Sequence, residues 1–93
     1  MPDIAVIDHP EEGRYEARVG DGVAVLEYQL EPGWIVLAHT EVPDAAEGHG
    51  IGQALVRHAL DDARARGLKV VPRCPFVAAW IARHPEYKDL VRS

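Results

Sequence analysis

Three groups of residues have types and spacings that can do chemistry. The first is Cys74, the only cysteine, placed between Arg73 and Pro75. A short apolar run precedes it, and Pro75 suits the first turn of a helix. The thiol is therefore expected at a helix N-terminus, where the dipole favours thiolate. There it can act as a nucleophile or as an acid. It reads equally as a small buried core residue, the commonest fate of a free cysteine. The second group is His39 and Glu41, two residues apart on one extended segment and so on one face. A histidine beside a carboxylate is an oriented base. The pair reads equally as a polar cross-strand contact at a sheet end. By the same period His39 shares the face of Ile35 and Leu37. If its strand neighbours the one before Cys74, His39 and Cys74 converge near the C-terminal ends of both. That pair is the leading catalytic candidate, with Glu41 second. The third group is Glu47-Gly48-His49-Gly50-Ile51-Gly52, which joins a strand to a helix. Glycines at alternate positions let a ligand approach the backbone, and the free N–H groups of a first helical turn favour an anion. A phosphate cradle and a tight turn with close helix–strand packing both satisfy this spacing.

Composition removes several alternatives. Ser93 is the only serine, Thr40 the only threonine, and asparagine is absent. An internal serine nucleophile elbow and a Gly-Lys-Ser/Thr phosphate loop are thereby excluded. His39-Thr40-Glu41 with Cys74 approaches the zinc deaminase pattern, but the second cysteine is missing. His9, His49, His58 and His84 have no dependable metal spacing, so no metal site is expected. His58 is assigned to a helix surface, and Phe76 and Trp80 to the core. A lone cysteine also excludes an internal disulfide. No run approaches the roughly 20 apolar residues of a membrane span. Residues 1–8 lack a basic leader and hold two aspartates, so a cytoplasmic protein without membrane attachment is expected.

The 93 residues, 47% hydrophobic and 27% charged, read as a single domain with a feasible core and little to spare. The net charge of −5 is unevenly spread. Residues 1–48 hold eleven acidic and two basic side chains, whereas residues 49–93 hold eight basic and four acidic ones. This suggests an anion-binding half, or else acidic solvated faces on the strands. The scattered basic residues and the negative total disfavour nucleic acid.

The elements that must position these groups follow from periodicity. Residues 3–8 form a short apolar run that stops at a turn over 9–13. Residues 14–19 alternate cleanly, with Tyr15, Ala17 and Val19 on one face. A Gly-Asp-Gly turn leads to a strand over 22–30, and Glu31-Pro32-Gly33 turns the chain into a strand over 34–42. Trp34, Ile35, Val36 and Leu37 are apolar in succession, so this strand is expected to be covered on both faces. Short turns imply an antiparallel meander of four strands. The period then becomes helical, with Ile51, Leu55, Ala59 and Ala63 in register up to Arg66 and Gly67 as the stop. A fifth strand over 68–71 completes a parallel, right-handed βαβ crossover. A second helix runs from Pro75 to about His84. Because the glycine loop follows the fourth strand of a meander rather than the first of a parallel sheet, a Rossmann site is not expected here.

In this order, four blocks resemble the GCN5-related N-acetyltransferases, and most closely the minimal branch of that superfamily. They are His39-Thr40-Glu41-Val42-Pro43, Gly48-His49-Gly50-Ile51-Gly52, Val71-Pro72-Arg73-Cys74-Pro75-Phe76-Val77 and His84-Pro85-Glu86-Tyr87. Gly50 and Gly52 match the two small residues of the family signature Arg/Gln-x-x-Gly-x-Gly/Ala. The resemblance covers nearly the whole chain. It implies an α/β (α+β) fold of the acyl-CoA N-acyltransferase type, with a four-stranded antiparallel meander, a parallel βαβ extension and a C-terminal helix. It implies acetyl-coenzyme A as donor, with the pyrophosphate against Gly48, His49, Gly50, Ile51, Gly52 and Gln53. The pantetheine arm would pair with the backbone near Glu41 and Val42. Cys74 and His39 would be catalytic, and Glu41 secondary. The acceptor would be an amine, with a protein or peptide lysine among the options. A monomer or weak homodimer is expected. One departure is Glu47, where the signature has Arg or Gln. It either points away from the pyrophosphate or weakens coenzyme binding, leaving the backbone helped by His49, Arg57 or Arg83. A coenzyme A-binding module without turnover is the alternative function.

Overall fold

The computed structural model describes residues 4–46, 48 and 50–92. Five strands, β1 (Val6–His9), β2 (Arg14–Val19), β3 (Gly22–Glu31), β4 (Trp34–Glu41) and β5 (Lys69–Pro72), form one sheet in sequence order. The first four pair antiparallel through short turns, and β5 lies parallel to β4. Helix α1 (Ile51–Ala65) makes the crossover, and α2 (Pro75–Ala82) follows β5. This is the meander with a parallel βαβ extension that the periodicity predicts. The second helix ends at Ala82 rather than His84, because a residue before proline is pushed out of the α region. Pro85–Leu90 continues as a 3-10 helix. No helix of the described residues is long and apolar enough to cross a membrane.

One face of the sheet carries the core. Tyr15, Ala17, Ala24, Leu26, Ile35 and Leu37 pack with the stripe Leu55, Val56, Ala59, Leu60 and Ala63 of α1, and with Val77, Trp80 and Ile81 of α2. Each fully buried aliphatic side chain here contributes about 1.5–3 kcal/mol. Both helices lie on this face, yet β4 is covered on both faces as expected, with Ile35, Val36 and Leu37 all buried. On the other face Val36 sits beside Val71, its neighbour on β5, and the Arg92 guanidinium lies 3.9 Å over the Trp34 ring. A side chain, not a helix, shields the apolar start of β4 there.

The chain's three tyrosines all tie their hydroxyls to aspartates. Tyr15 donates to Asp62 at 2.7 Å, Tyr28 to Asp8 at 2.5 Å, and Tyr87 to Asp61 at 2.7 Å. These bonds satisfy polar tips that burial would otherwise orphan.

One irregularity governs the site. Tyr28 pairs with Leu37 but Glu27 pairs with His39, so Ala38 is an extra residue on β4. Such a bulge breaks the alternation of faces. Beyond it, Thr40 stands opposite the buried Leu26 on the core face, whereas His39 stands opposite Glu27 on the open face. The expectation that His39 shares the face of Ile35 and Leu37 is therefore corrected.

Candidate functional site

The parallel ladder between β4 and β5 ends at Leu37–Pro72, while β4 runs on to Glu41. One side of the β4 backbone is thus left without a strand partner. A cavity of about 510 Å³ opens here. Its walls are the end of β4 (His39, Thr40, Glu41), Val42, the glycine loop, the start of α1 (Ile51, Gly52, Gln53) and Phe76 of α2.

The glycines of the loop serve two purposes. Gly50 is the N-cap of α1 with φ 75°, and Gly48 has φ 87°. Only glycine adopts this left-handed backbone without strain. A Cβ on either would meet nothing within 4 Å, so both border open space. Gly52 differs: a Cβ there would lie 3.1 Å from Phe76 Cζ and 3.6 Å from Val42. It permits close packing of α1 on α2. The packing reading thus applies to Gly52, while Gly48 and Gly50 leave open the space a cradle would need. No side chain caps α1, and no acidic residue lies in its first turn. The N–H groups of Ile51, Gly52 and Gln53 therefore stand at the positive end of a 15-residue helix, suited to an anion. Glu47 and His49 lie outside the described residues.

Cys74 is the N-cap of α2 and is only 4% exposed. Its N–H donates to the Leu37 carbonyl at 3.0 Å, which locks the start of α2 onto β4. Its Sγ lies 3.5 Å from Thr40 Oγ1. Burial pushes the thiol up, but hydrogen bonds from Thr40 and from the backbone at Val77 and Phe76 outweigh it and hold it below the ordinary cysteine value. Cys74 thus combines the two sequence readings, being a core residue whose thiolate is favoured. It sits against Thr40, which lines the cavity.

His39 and Glu41 are adjacent, with Nε2 and Oε1 3.8 Å apart and side chains 57% and 75% exposed. They reach the cavity rim from the open face, also as the cross-strand pairing with Glu27 requires. The side chain that meets Cys74 is Thr40, not His39. Residue type hid Thr40, because an isolated threonine carries no catalytic signal, and the bulge leaves no pattern in an apolar run. Phe76, assigned to the core, is 40% exposed and forms cavity wall, while Trp80 is buried as expected. His58 is exposed on α1, with its ring edge-on to Tyr15 at 5.5 Å. Arg57 lies 5.4 Å over the Trp80 ring. His9, Glu11 and Glu12 gather within 4.8 Å of one another, but Arg14 pairs with Glu12 at 2.9 Å, so ion pairing accounts for the cluster.

Comparison with known proteins gives a consistent picture. A family model described as GCN5-related N-acetyl-transferase matches residues 14–90. Protein NATD1 from Gallus gallus and from Mus musculus is 40% identical over 63 residues, 67% of this chain. The human Protein NATD1 matches at the same identity over the same share. The matched segment spans 57% of the chicken and mouse proteins and 56% of the human one. The solution structure of a GCN5-like protein from Staphylococcus aureus superposes with a TM-score of 0.76 at 22% identity. That overlay covers 100% of this chain and 92% of the other, and it establishes likeness of fold.

Proposed function

Because the chain belongs to the GCN5-related N-acetyltransferase family, we propose that it transfers an acetyl group from acetyl-coenzyme A to an amine, through Cys74. One observation carries this reading. The uncapped N-terminus of α1 and the unpaired edge of β4 meet around one cavity, and a buried thiol held below its ordinary value lies directly behind Thr40 in its wall.

The residues present fit the donor. A cavity of about 510 Å³ lies within the roughly 300–1,000 Å³ range of small-molecule sites. Gly48 and Gly50 leave open the space a Cβ would fill. The N–H groups of Ile51, Gly52 and Gln53 would bind the pyrophosphate, and the β4 edge at Glu41 and Val42 would pair with the amides of the pantetheine arm. When bound, acetyl-coenzyme A supplies the activated thioester.

The chemistry then falls to this chain's side chains. The Cys74 thiolate attacks the thioester carbon, forming a new C–S bond as the coenzyme departs with its sulfur and electron pair. An acceptor amine displaces Cys74 in turn: the N–C bond forms, the Cys74 C–S bond breaks, the nitrogen gives its second proton to water, and the thiolate returns. His39, with Nε2 toward Glu41, takes the ammonium proton at Nδ1 or through one water. The acceptor enters through the cavity, whose rim carries His39 and Glu41, and the carboxylate attracts a cation. A protein or peptide lysine suits such an approach.

The test is intact mass spectrometry after incubation with acetyl-coenzyme A, with and without a lysine peptide. One acetyl group on Cys74, discharged by the peptide and absent from Cys74→Ala, is expected. Peptide acetylation that persists in Cys74→Ala would overturn the role of Cys74. Calorimetric binding of the coenzyme without thiol release would make the chain a binding module instead.

A further inference from the structure

The bulge at Ala38 has a chemical consequence. In a regular strand His39 would face the core and Thr40 the solvent. The extra residue reverses this and places Thr40 on the core face, opposite Leu26. There its Oγ1 comes within 3.5 Å of Cys74 Sγ. Among the described residues, Thr40 is the only side chain that hydrogen-bonds this sulfur. It also lines the cavity, so one residue touches both the thiol and the space where the thioester would lie.

We propose that Thr40 is the positioning residue for Cys74: its Oγ1–H donates to the anionic sulfur and holds Sγ against the cavity wall that Thr40 itself forms. This rests on the reading of Cys74 as the group that meets the thioester. The hydroxyl acts together with the positive end of α2, at whose N-cap Cys74 stands. An ionised acceptor draws more from such a donor than a neutral thiol does, so the bond favours the charged form. Burial of the sulfur opposes it, which is why a donor is needed. Charged groups contribute little by comparison. On β4, His39 and Glu41 lie on the opposite face. On the β5–α2 connection Arg73 is exposed.

The experiment is the pH profile of iodoacetamide alkylation of Cys74 in the folded protein. It needs neither acetyl donor nor acceptor. Thr40→Val keeps the shape and removes the hydroxyl, and Thr40→Ser keeps the hydroxyl. In Thr40→Val the midpoint should move to higher pH, with the thiolate fraction at neutral pH reduced about 3- to 10-fold. Thr40→Ser should stay within about twofold of the parent, because its hydroxyl still donates. Thr40→Ala reads the same loss if the valine variant does not fold, as checked by circular dichroism. An unmoved midpoint in the folded variants lacking the hydroxyl would overturn the proposal, as would a serine variant that behaves like valine. The two readings fail separately. If Cys74→Ala still acetylates the peptide, the catalytic role falls, yet the alkylation profile still decides what Thr40 does to the thiol.

Discussion

The two helix N-termini at this end of the sheet make an instructive pair. Both follow a strand of the same parallel pair, α1 after β4 and α2 after β5, and neither has a side-chain cap. Each presents the positive end of a helix dipole. They differ in what stands at the cap. At α1 it is Gly50, left-handed and bordering open space, so the backbone donors face the cavity unencumbered. At α2 it is Cys74, buried, with Pro75 removing one donor and the sulfur lying against Thr40 Oγ1. One terminus leaves its donors open to an anion arriving from outside. The other sets at its cap a buried thiol held below its ordinary value. The same backbone physics thus gives a binding element or a reactive group, according to whether the cap residue withholds a side chain or provides one.

Breaking the second terminus should have the largest effect. Cys74→Ala is expected to lower kcat for acetyl transfer by about 10²–10⁴-fold, the span of a lost acid, base or nucleophile. Coenzyme affinity measured by calorimetry should change little. A large loss of affinity with kcat intact would assign both termini to binding.

Substitutions in the glycine loop separate its two roles. Gly50→Val forces a β-branched residue into left-handed backbone and into the cavity mouth. Acetyl-coenzyme A affinity should fall about tenfold or more, with about 1–2 kcal/mol of stability lost to the backbone strain. Gly52→Ala should act chiefly on stability, because its Cβ meets Phe76 at 3.1 Å. A loss of about 1–3 kcal/mol is expected by denaturant titration, and Phe76→Leu in the same chain should restore part of it.

The remote side of the fold titrates in a way the site does not. Burial, then the bonds to Asp62 and Asp8, push Tyr15 and Tyr28 above the ordinary tyrosine range, and the bond to Asp61 does the same for Tyr87. The folded state therefore holds these protons more tightly than the unfolded chain. Their contribution to stability is complete below the unfolded value of about 10 and declines as pH rises above it. Urea midpoints should fall between pH 9 and 11, about 9 being the upper end of the plateau, with tyrosinate absorbance rising only as the protein unfolds. Tyrosinate absorbance that rises near pH 10 in the folded protein, about the free value, would contradict the Tyr–Asp pairing.

Much of this arrangement was legible in residue order. Gly20-Asp21-Gly22 and Glu31-Pro32-Gly33 mark the hairpins, and the change of period after the glycine loop marks the crossover. Proximity of His39 to Glu41 also follows from a strand's period of two. The face they occupy does not follow. Trp34 to Leu37 are apolar without a break, so no alternation exists there whose interruption would betray an extra residue at Ala38. For that reason Thr40, not His39, is the partner of Cys74. Phe76 escaped for a related reason, since an aromatic in an apolar helix reads as core, whereas Gly52 brings it to the cavity wall.

The central claim is that acetyl-coenzyme A binds where α1 begins and β4 parts from β5. An amide-resolved NMR titration with acetyl-coenzyme A tests it most directly. Saturable shifts concentrated at Ile51, Gly52 and Gln53 and at Thr40 to Val42 are expected, with the amides of β1 and β2 unmoved. No saturable shifts, or shifts centred on the open face at β1 and β2, would contradict it.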